Sequence, residues 1–341
     1  MRTGKPVNFS YSSIVSERQL SDAASSAAGL YFEESAEIYW IGHSATATFR
    51  VVIPTARRSY LLRLHLPKLD SAEACWYEVQ AIRSEIEWLD RLSRRGLPVQ
   101  VPVRAKTGHA VSKVEVLGEA VPCSVLEWIE GKPIDDAVDV ERAREIGQLC
   151  GRLHLQSSEW NPPAGFSRPS VDYGLARRSI DRLSVLEPTG ILSAEGKQRL
   201  LLALDRIEAE TPSLSDVADH WGLIHGDIHP GNCLLGPDGI HLIDFGRCGF
   251  GAFQHDVAEA LQYLGYEARR EFVDGYESVR PLCDGTRNCL EAYLLISALD
   301  GFSFHAGDPD ERAYLARALP NFVSTCVDPF LDGRPFLFGP G

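Results

Sequence analysis

Residues 222–246, GLIHGDIHPGNCLLGPDGIHLIDFG, gather imidazole, carboxylate and amide side chains between short apolar runs. Three chemistries fit residue types at these spacings. His225, Asp227 and His229 alternate, so on a strand they would share one face and offer ligands to a metal. A dinuclear hydrolase needs more ligands further along, and downstream the chain supplies little beyond His255-Asp256 and an isolated His305. Satisfied polar residues of a tight turn would account for Asp227 or Asn232 singly, but not for so many acceptor oxygens beside two apolar strands. The third chemistry is phosphoryl transfer. Asp227 and Asn232 lie five residues apart, and Asp244 ends an apolar run that can pair with CLLG across the Pro237-Asp238-Gly239 turn. Such a reaction needs one carboxylate to orient an attacking hydroxyl and accept its proton, and hard oxygen donors to hold Mg²⁺ on nucleotide phosphates. The spacing favours this third chemistry.

These groups need a scaffold, and the patterning describes one. Between residues 38 and 66 the chain alternates and is rich in β-branched and aromatic residues, predicting three antiparallel strands with one glycine-containing turn and one charged turn. Trp76, Val79, Ile82, Ile86, Leu89 and Leu92 then fall three or four apart, behind a Ser71 cap and ahead of Gly96, which predicts an amphipathic helix. VQVPVRA, AVSKVEVLG and VPCSVLEWIEG predict further strands. Beyond Gly131 the texture is helical: one helix behind Asp139, a second after Ser193, and others over 254–264, 268–276, 287–302 and 310–323. Residues 157–190 predict an irregular excursion or short helices. The expected class is α+β. Its parts are a polar, loose arm over 1–25, a small mixed lobe over 26–130 and a larger, mainly helical lobe over 131–341.

Composition narrows the partners. With 341 residues and 44% hydrophobic content the chain can bury a sizeable core, and no stretch approaches the length of a membrane span. The N-terminus lacks the apolar run of a secretory signal, and the eight scattered cysteines contain no C-x-x-C pair, as expected of reduced thiols in the cytoplasm. A net charge of -13 argues against nucleic acid or an anionic membrane as partner and leaves room for a cationic one, although solubility accounts for it equally well.

Protein kinases place a catalytic Asp and an Asn at the same five-residue interval and follow them with Asp-Phe-Gly on the next hairpin. Here these are Asp227, Asn232 and Asp244-Phe245-Gly246. HGDIHPGN followed by LIDFG, with VLEWIEG and LCGRLH ahead of them, resembles the aminoglycoside phosphotransferase and choline kinase-like superfamily over residues 38–323. The resemblance implies a bilobal protein-kinase-like fold using ATP and Mg²⁺. It makes Asp227 the catalytic base, Asn232 and Asp244 the metal ligands, and Asp256 and His225 supports of the catalytic loop. His229 either stabilises that loop or approaches the phosphate, and His154 packs in the core. In the small lobe it places Gly42, His43 and Ser44 over the phosphates, although this turn has one glycine rather than G-x-G-x-x-G. Arg63 stands where a strand lysine is expected, and Arg is not interchangeable with Lys. Its helix partner is Glu85 or, two residues on and on another face, Glu87. Backbone groups of Glu127 and Ile129 would meet the base, so side chains do not decide ATP against GTP.

The implied activity is transfer of the γ-phosphate of ATP to a hydroxyl of a small molecule: an aminoglycoside or other antibiotic, an amino alcohol or a related metabolite. The excursion and the later helices would build the acceptor side, with Trp160, Tyr173, Asp300, His305, Asp308, Asp310 and Glu311 available. Carboxylates suit a cationic acceptor, at about 1 kcal/mol per close pair in water, while 308–311 also reads as a solvated helix cap. Two other classes stay open. A serine/threonine protein kinase of the same fold is opposed by the short run between Phe245 and Asp256. A nucleotide-binding regulator without turnover is suggested by Arg63 and the glycine-poor turn, and opposed by the retention of Asp227, Asn232 and Asp244.

Overall fold

The computed structural model describes residues 15–43, 46–66, 74–134, 138–210, 220–282 and 286–339. The chain forms two compact units, the first comprising Met1–Gly131, Pro162–Pro169 and His241–Gly246, the second Lys132–Asn161, Ser170–Ile240 and Arg247–Gly341.

The first unit begins with a helix, α1 (Glu17–Tyr31), within the segment expected to be a loose arm. Two features of the sequence produce it. Ser16 and Gln19 form a reciprocal capping box, and Leu20, Ala23, Ala24, Ala27, Ala28 and Tyr31 recur at helical spacing on one buried face. The expectation is therefore corrected from Ser16 onward, while residues 1–14 lie outside the described residues. That face joins the core of an antiparallel sheet, and Tyr31 Oη donates to the Cys123 carbonyl at 3.0 Å.

The sheet contains β1 (Glu37–His43), β2 (Ala47–Ile53) and β3 (Arg58–Leu64). After the helix α2 (Val79–Arg94) come β4 (Pro102–Val103), β5 (Val111–Val116) and β6 (Glu119–Glu127). Its order is β1-β2-β3-β6-β4, with β5 pairing on β6. Ala47, Phe49, Val51 and Ile53 alternate inward along β2. Full burial of a side chain such as Phe49 contributes roughly 1.5–3 kcal/mol. The pairing of β3 with β6 places Arg63 opposite Ser124. The Ser71 cap expected for the long helix lies outside the described residues; Ala74–Tyr77 form a 3-10 turn and α2 follows.

The second unit starts with β7 (Lys132–Pro133), α3 (Val140–Ser158), β8 (Ser170–Val171) and α4 (Tyr173–Leu183), followed by α5 (Ala194–Glu210). Then come β9 (Trp221–Ile224), β10 (Cys233–Gly236), β11 (Gly239–Leu242) and β12 (Gly249–Ala252). It ends with α6 (Phe253–Gln262), α7 (Tyr266–Glu277), α8 (Thr286–His305), α9 (Arg312–Phe322) and α10 (Asp328–Leu331). Asp139 caps α3, accepting the Arg142 amide at 2.8 Å, as its position before the apolar stripe predicts. Gly147 and Gly151 on α3 let α7 approach closely: a Cβ at Gly147 would stand 2.0 Å from the Phe272 carbonyl oxygen. β9 pairs with β12 and β12 with β8, and β10 lies between β7 and β11. These two small sheets hold the loop between β9 and β10.

Candidate active site

That loop, residues 225–232, begins where β9 ends. Gly226 has φ +73, so the strand alternation that would have aligned His225, Asp227 and His229 on one face is broken at once. His225 is buried, whereas Asp227 and His229 are each about one-third exposed, His229 Nε2 standing 3.8 Å from Asp227 Oδ1. The three therefore make no metal-ligand set. Gly226 adopts left-handed backbone, and a Cβ there would meet the Arg247 carbonyl oxygen at 2.6 Å.

The first turn of α6 fixes this loop from below. Asp256 Oδ2 accepts the His225 amide at 2.7 Å and Oδ1 accepts the Gly226 amide at 2.8 Å. His154 Nε2 lies 3.0 Å from Asp256 Oδ2, and its Nδ1 lies 3.0 Å from Tyr276 Oη, with the imidazole stacked on Phe253. Burial drives the His154 imidazole below its ordinary pKa against the pull of Asp256, so it is neutral and donates through Nε2. Burial alone would raise the Asp256 carboxyl, but the His154 hydrogen bond, the neighbouring imidazoles and the Gly226 amide carry it below its usual range. Cys150, His154 and Asp256 form a compact trio of ligand-type atoms, yet both nitrogens of His154 are already engaged in hydrogen bonds.

One turn along α6, Glu259 Oε2 accepts the Ile228 amide at 3.2 Å, so α6 carboxylates hold backbone amides on both sides of Asp227. Burial and the charges of Asp227 and Asp256 push the Glu259 carboxyl well up. Glu259 has no special spacing in the sequence. Only its place three residues after Asp256, on the same helical face, hints at the role.

Within the loop, Asn232 Nδ2 donates to the Asp227 backbone oxygen at 2.9 Å and to Asp227 Oδ2 at 3.0 Å. This assignment leaves Asn232 Oδ1 as the amide's free acceptor, a hard oxygen of the kind Mg²⁺ or Ca²⁺ takes. His229 Nδ1 accepts the Gly231 amide at 3.1 Å, and its ring lies 5.5 Å from that of Tyr263.

The first unit carries the other expected residues. Arg63 Nη2 stands 2.7 Å from Glu85 Oε1, both side chains almost fully buried. Glu87 is exposed, so Glu85 is the inward partner. The contact is an ion pair rather than an aligned hydrogen bond, and Arg63 Nε and Nη2 and Glu85 Oε1 have no hydrogen-bond partner. Arg63 Nε, a desolvated guanidinium donor without a hydrogen-bond partner, fits an oxygen of an anionic ligand. Asp244 has φ +59, and its Oδ1 accepts the Gly246 amide at 3.3 Å.

Gly42 and His43 end β1 at the turn into β2, and Ser44 lies outside the described residues. The His43 ring is committed, with Nε2 2.8 Å from the Leu66 carbonyl. The Glu127 amide donates to Val101 O at 2.8 Å. The Ile129 amide has no acceptor among the described residues.

Residues 37–282 match the family described as APH, Phosphotransferase enzyme family. The chain belongs to that family. Among curated relatives, an uncharacterized protein of Synechocystis sp. is 24% identical over 260 residues, covering 74% of this chain and 69% of its own. A homoserine kinase of Methylobacterium radiotolerans is 26% identical over 259 residues, 67% of each. A microcompartment-associated aminopropanol kinase superposes with a TM-score of 0.76 at 22% identity, over 91% of this chain and 97% of that one. An amicoumacin kinase in complex with AMP-PNP, Ca²⁺ and Ami gives 0.70 at 19%, over 92% and 94%. At these identities the structural likeness establishes the fold, which is that of the protein-kinase-like phosphotransferases. This APH-family chain is accordingly an enzyme of phosphoryl transfer. Among the described residues no helix is long and apolar enough to cross a membrane.

Proposed function

We propose that the protein transfers the γ-phosphate of ATP to a hydroxyl group of a small molecule, an amino alcohol or a related amine-bearing metabolite or antibiotic. The observation that carries this reading is the pair of hydrogen bonds that Asn232 donates to Asp227, on a loop whose amides are held by Asp256 and Glu259. It gives a partly exposed carboxylate whose aim is preset, as a base for an alcohol requires.

Asp227 accepts a hydrogen bond from the acceptor hydroxyl and takes its proton as the oxygen attacks phosphorus. Asn232 and Asp244 are the residues to hold a divalent cation, Mg²⁺ by preference, through hard oxygens. When bound, that ion supplies charge neutralisation at the β- and γ-phosphates. Arg63, ion-paired to Glu85 through Nη2, offers its Nε, which has no hydrogen-bond partner, to a phosphate oxygen. Glu127 and Ile129 offer a carbonyl and an amide to the base, and Gly42 and the turn after it would cover the phosphates. The acceptor class is supported by relatives named as homoserine and ketoamine kinases and by the aminopropanol kinase fold.

Mass-spectrometric detection of phosphate transfer from Mg·ATP to a panel of amino alcohols, hydroxy amino acids, ketoamines, aminoglycosides and a generic protein tests the reading, with Asp227→Ala as control. A phosphate adduct on a small molecule, lost in the variant, is the expected result. Label on protein alone overturns the acceptor class.

A further inference from the structure

Arg168 lies in the segment Pro162–Pro169, which leaves the helical unit of the chain and belongs to the first unit, together with His241–Gly246. By sequence this stretch was part of an excursion expected to line the acceptor. Its guanidinium is buried, at 6% exposure. Nη1 donates to the Ala81 carbonyl at 3.1 Å and Nη2 to the Gly246 carbonyl at 2.6 Å, while the group lies 4.9 Å from the centre of the Trp76 ring. Neighbouring residues repeat the attachment to α2: Ser84 Oγ accepts the Ser167 amide at 2.9 Å, and Gln80 Nε2 donates to the Gly165 carbonyl at 2.6 Å.

The two carbonyls that Arg168 joins are informative. Ala81 O sits one helical turn before Glu85, and in an α-helix it is the carbonyl that takes the Glu85 amide. Gly246 is the residue whose amide is held by Asp244 Oδ1, and Asp244 itself occupies left-handed backbone without being glycine. Such a conformation costs roughly 1–2 kcal/mol and persists where neighbours fix it. One planar, rigid fork thus spans the turn of α2 that presents Glu85 to Arg63 and the strained turn that presents Asp244. A guanidinium stripped of water is costly unless its donors are used, so a buried Arg here is strongly tied to this geometry.

We propose that Arg168 is a positioning residue that locks the Asp244–Gly246 turn to the first turns of α2, so that Asp244 is preset for a metal–nucleotide complex. The ligand in this statement rests on the proposed function; the lock itself does not. Losing it affects the metal-dependent part of nucleotide binding, because the carboxylate loses its aim while the donors of Arg63 remain. Residues that orient a metal ligand from outside typically change metal affinity by about 10- to 100-fold.

The test is calorimetric titration of the full chain with ADP, in Mg²⁺ and in EDTA, beside amide hydrogen exchange without ligand. Arg168→Met should weaken Mg·ADP by about tenfold and ADP in EDTA by less than about twofold. Exchange should quicken together in the peptides around Gly246 and around Ala81. Arg168→Lys keeps the charge and the stem over Trp76 but cannot span two carbonyls, so it should fold and give an intermediate loss. Equal loss with and without Mg²⁺, or exchange quickened in one segment alone, overturns the proposal. If the unaltered protein binds ADP under neither condition, it is the proposed function that fails, and the exchange result decides the lock by itself.

Discussion

Asn232 grips Asp227 at two points, its Nδ2 donating to the backbone oxygen at 2.9 Å and to carboxylate Oδ2 at 3.0 Å. The side chain and its own main chain are thereby fixed to one amide. A carboxylate so constrained can rotate little about χ1, and its second oxygen, Oδ1, has His229 Nε2 at 3.8 Å. Asp227→Asn removes the basic oxygen while keeping size, so turnover should fall by about 10²- to 10⁴-fold with nucleotide affinity nearly unchanged. Steady-state rates beside direct nucleotide titration check this. Near-normal turnover in the variant would remove Asp227 from the role of base.

The buried pair of Arg63 and Glu85 makes a second prediction. Removing one partner strands a charge with almost no exposure, which typically costs about 3–5 kcal/mol of stability. Glu85→Leu should therefore lower the urea midpoint sharply, and the double variant Arg63→Met, Glu85→Leu should recover much of it while still failing to bind nucleotide tightly. Glu87→Gln, at an exposed position on the same helix, should change stability by no more than about 0.5 kcal/mol. If the Glu87 and Glu85 variants behaved alike, the inward pairing would be wrong.

Much of the site was legible because its chemistry is local. Asp227 and Asn232 are ordered by one loop a few residues long, so residue type and spacing carry their arrangement. Arg63 and Glu85 were reached through the family resemblance, and only burial separates Glu85 from Glu87. The roles of Glu259 and Arg168 were not legible, since both depend on which remote backbone groups a side chain reaches. The strand β12 was missed because GFGA has no alternation to read; its glycines serve close packing, a Cβ at Gly251 meeting the Ile224 side chain at 2.5 Å. Helix α1 was readable in principle: the Ser16 and Gln19 box and the alanine stripe were present, but small apolar residues give a weak amphipathic signal.

His65 gives a pH dependence of stability. Its ring is buried, with Nε2 2.8 Å from Ser124 Oγ, and burial, reinforced by the charges of Arg63 and Arg168, holds its pKa well below the ordinary 6.5. A depressed imidazole is neutral in the folded state, whereas the unfolded chain takes up a proton as pH falls through 6.5. The unfolded state then binds more protons, so stability is retained above that pH and lost below it. The melting temperature should fall between pH 7 and pH 5, and His65→Gln, which keeps a hydrogen-bonding side chain but cannot titrate, should fall less steeply. Parallel curves for the two proteins would exclude His65 as a contributor.

Gly226 separates the needs of the loop from those of the fold. Its backbone is left-handed at φ +73, where a Cβ costs roughly 1–2 kcal/mol, and that Cβ would also press on the Arg247 carbonyl oxygen at 2.6 Å. The backbone fixes the Cβ and the oxygen it meets is main chain, so neither clash nor conformation can be relieved by rotating a side chain. The loop must shift instead, and the Gly226 amide is one of those held by Asp256. Gly226→Ala should therefore lose turnover along with stability, as Asp227 moves with the backbone beside it. Gly301 offers the contrast: it lies in α8 with open space around the Cβ position and ordinary helical backbone, so Gly301→Ala should add up to about 1 kcal/mol of stability with turnover unchanged. Thermal melts and initial rates on both variants give the comparison. A Gly226→Ala protein that melts lower yet turns over normally would mean that the left-handed turn serves folding alone and does not aim Asp227.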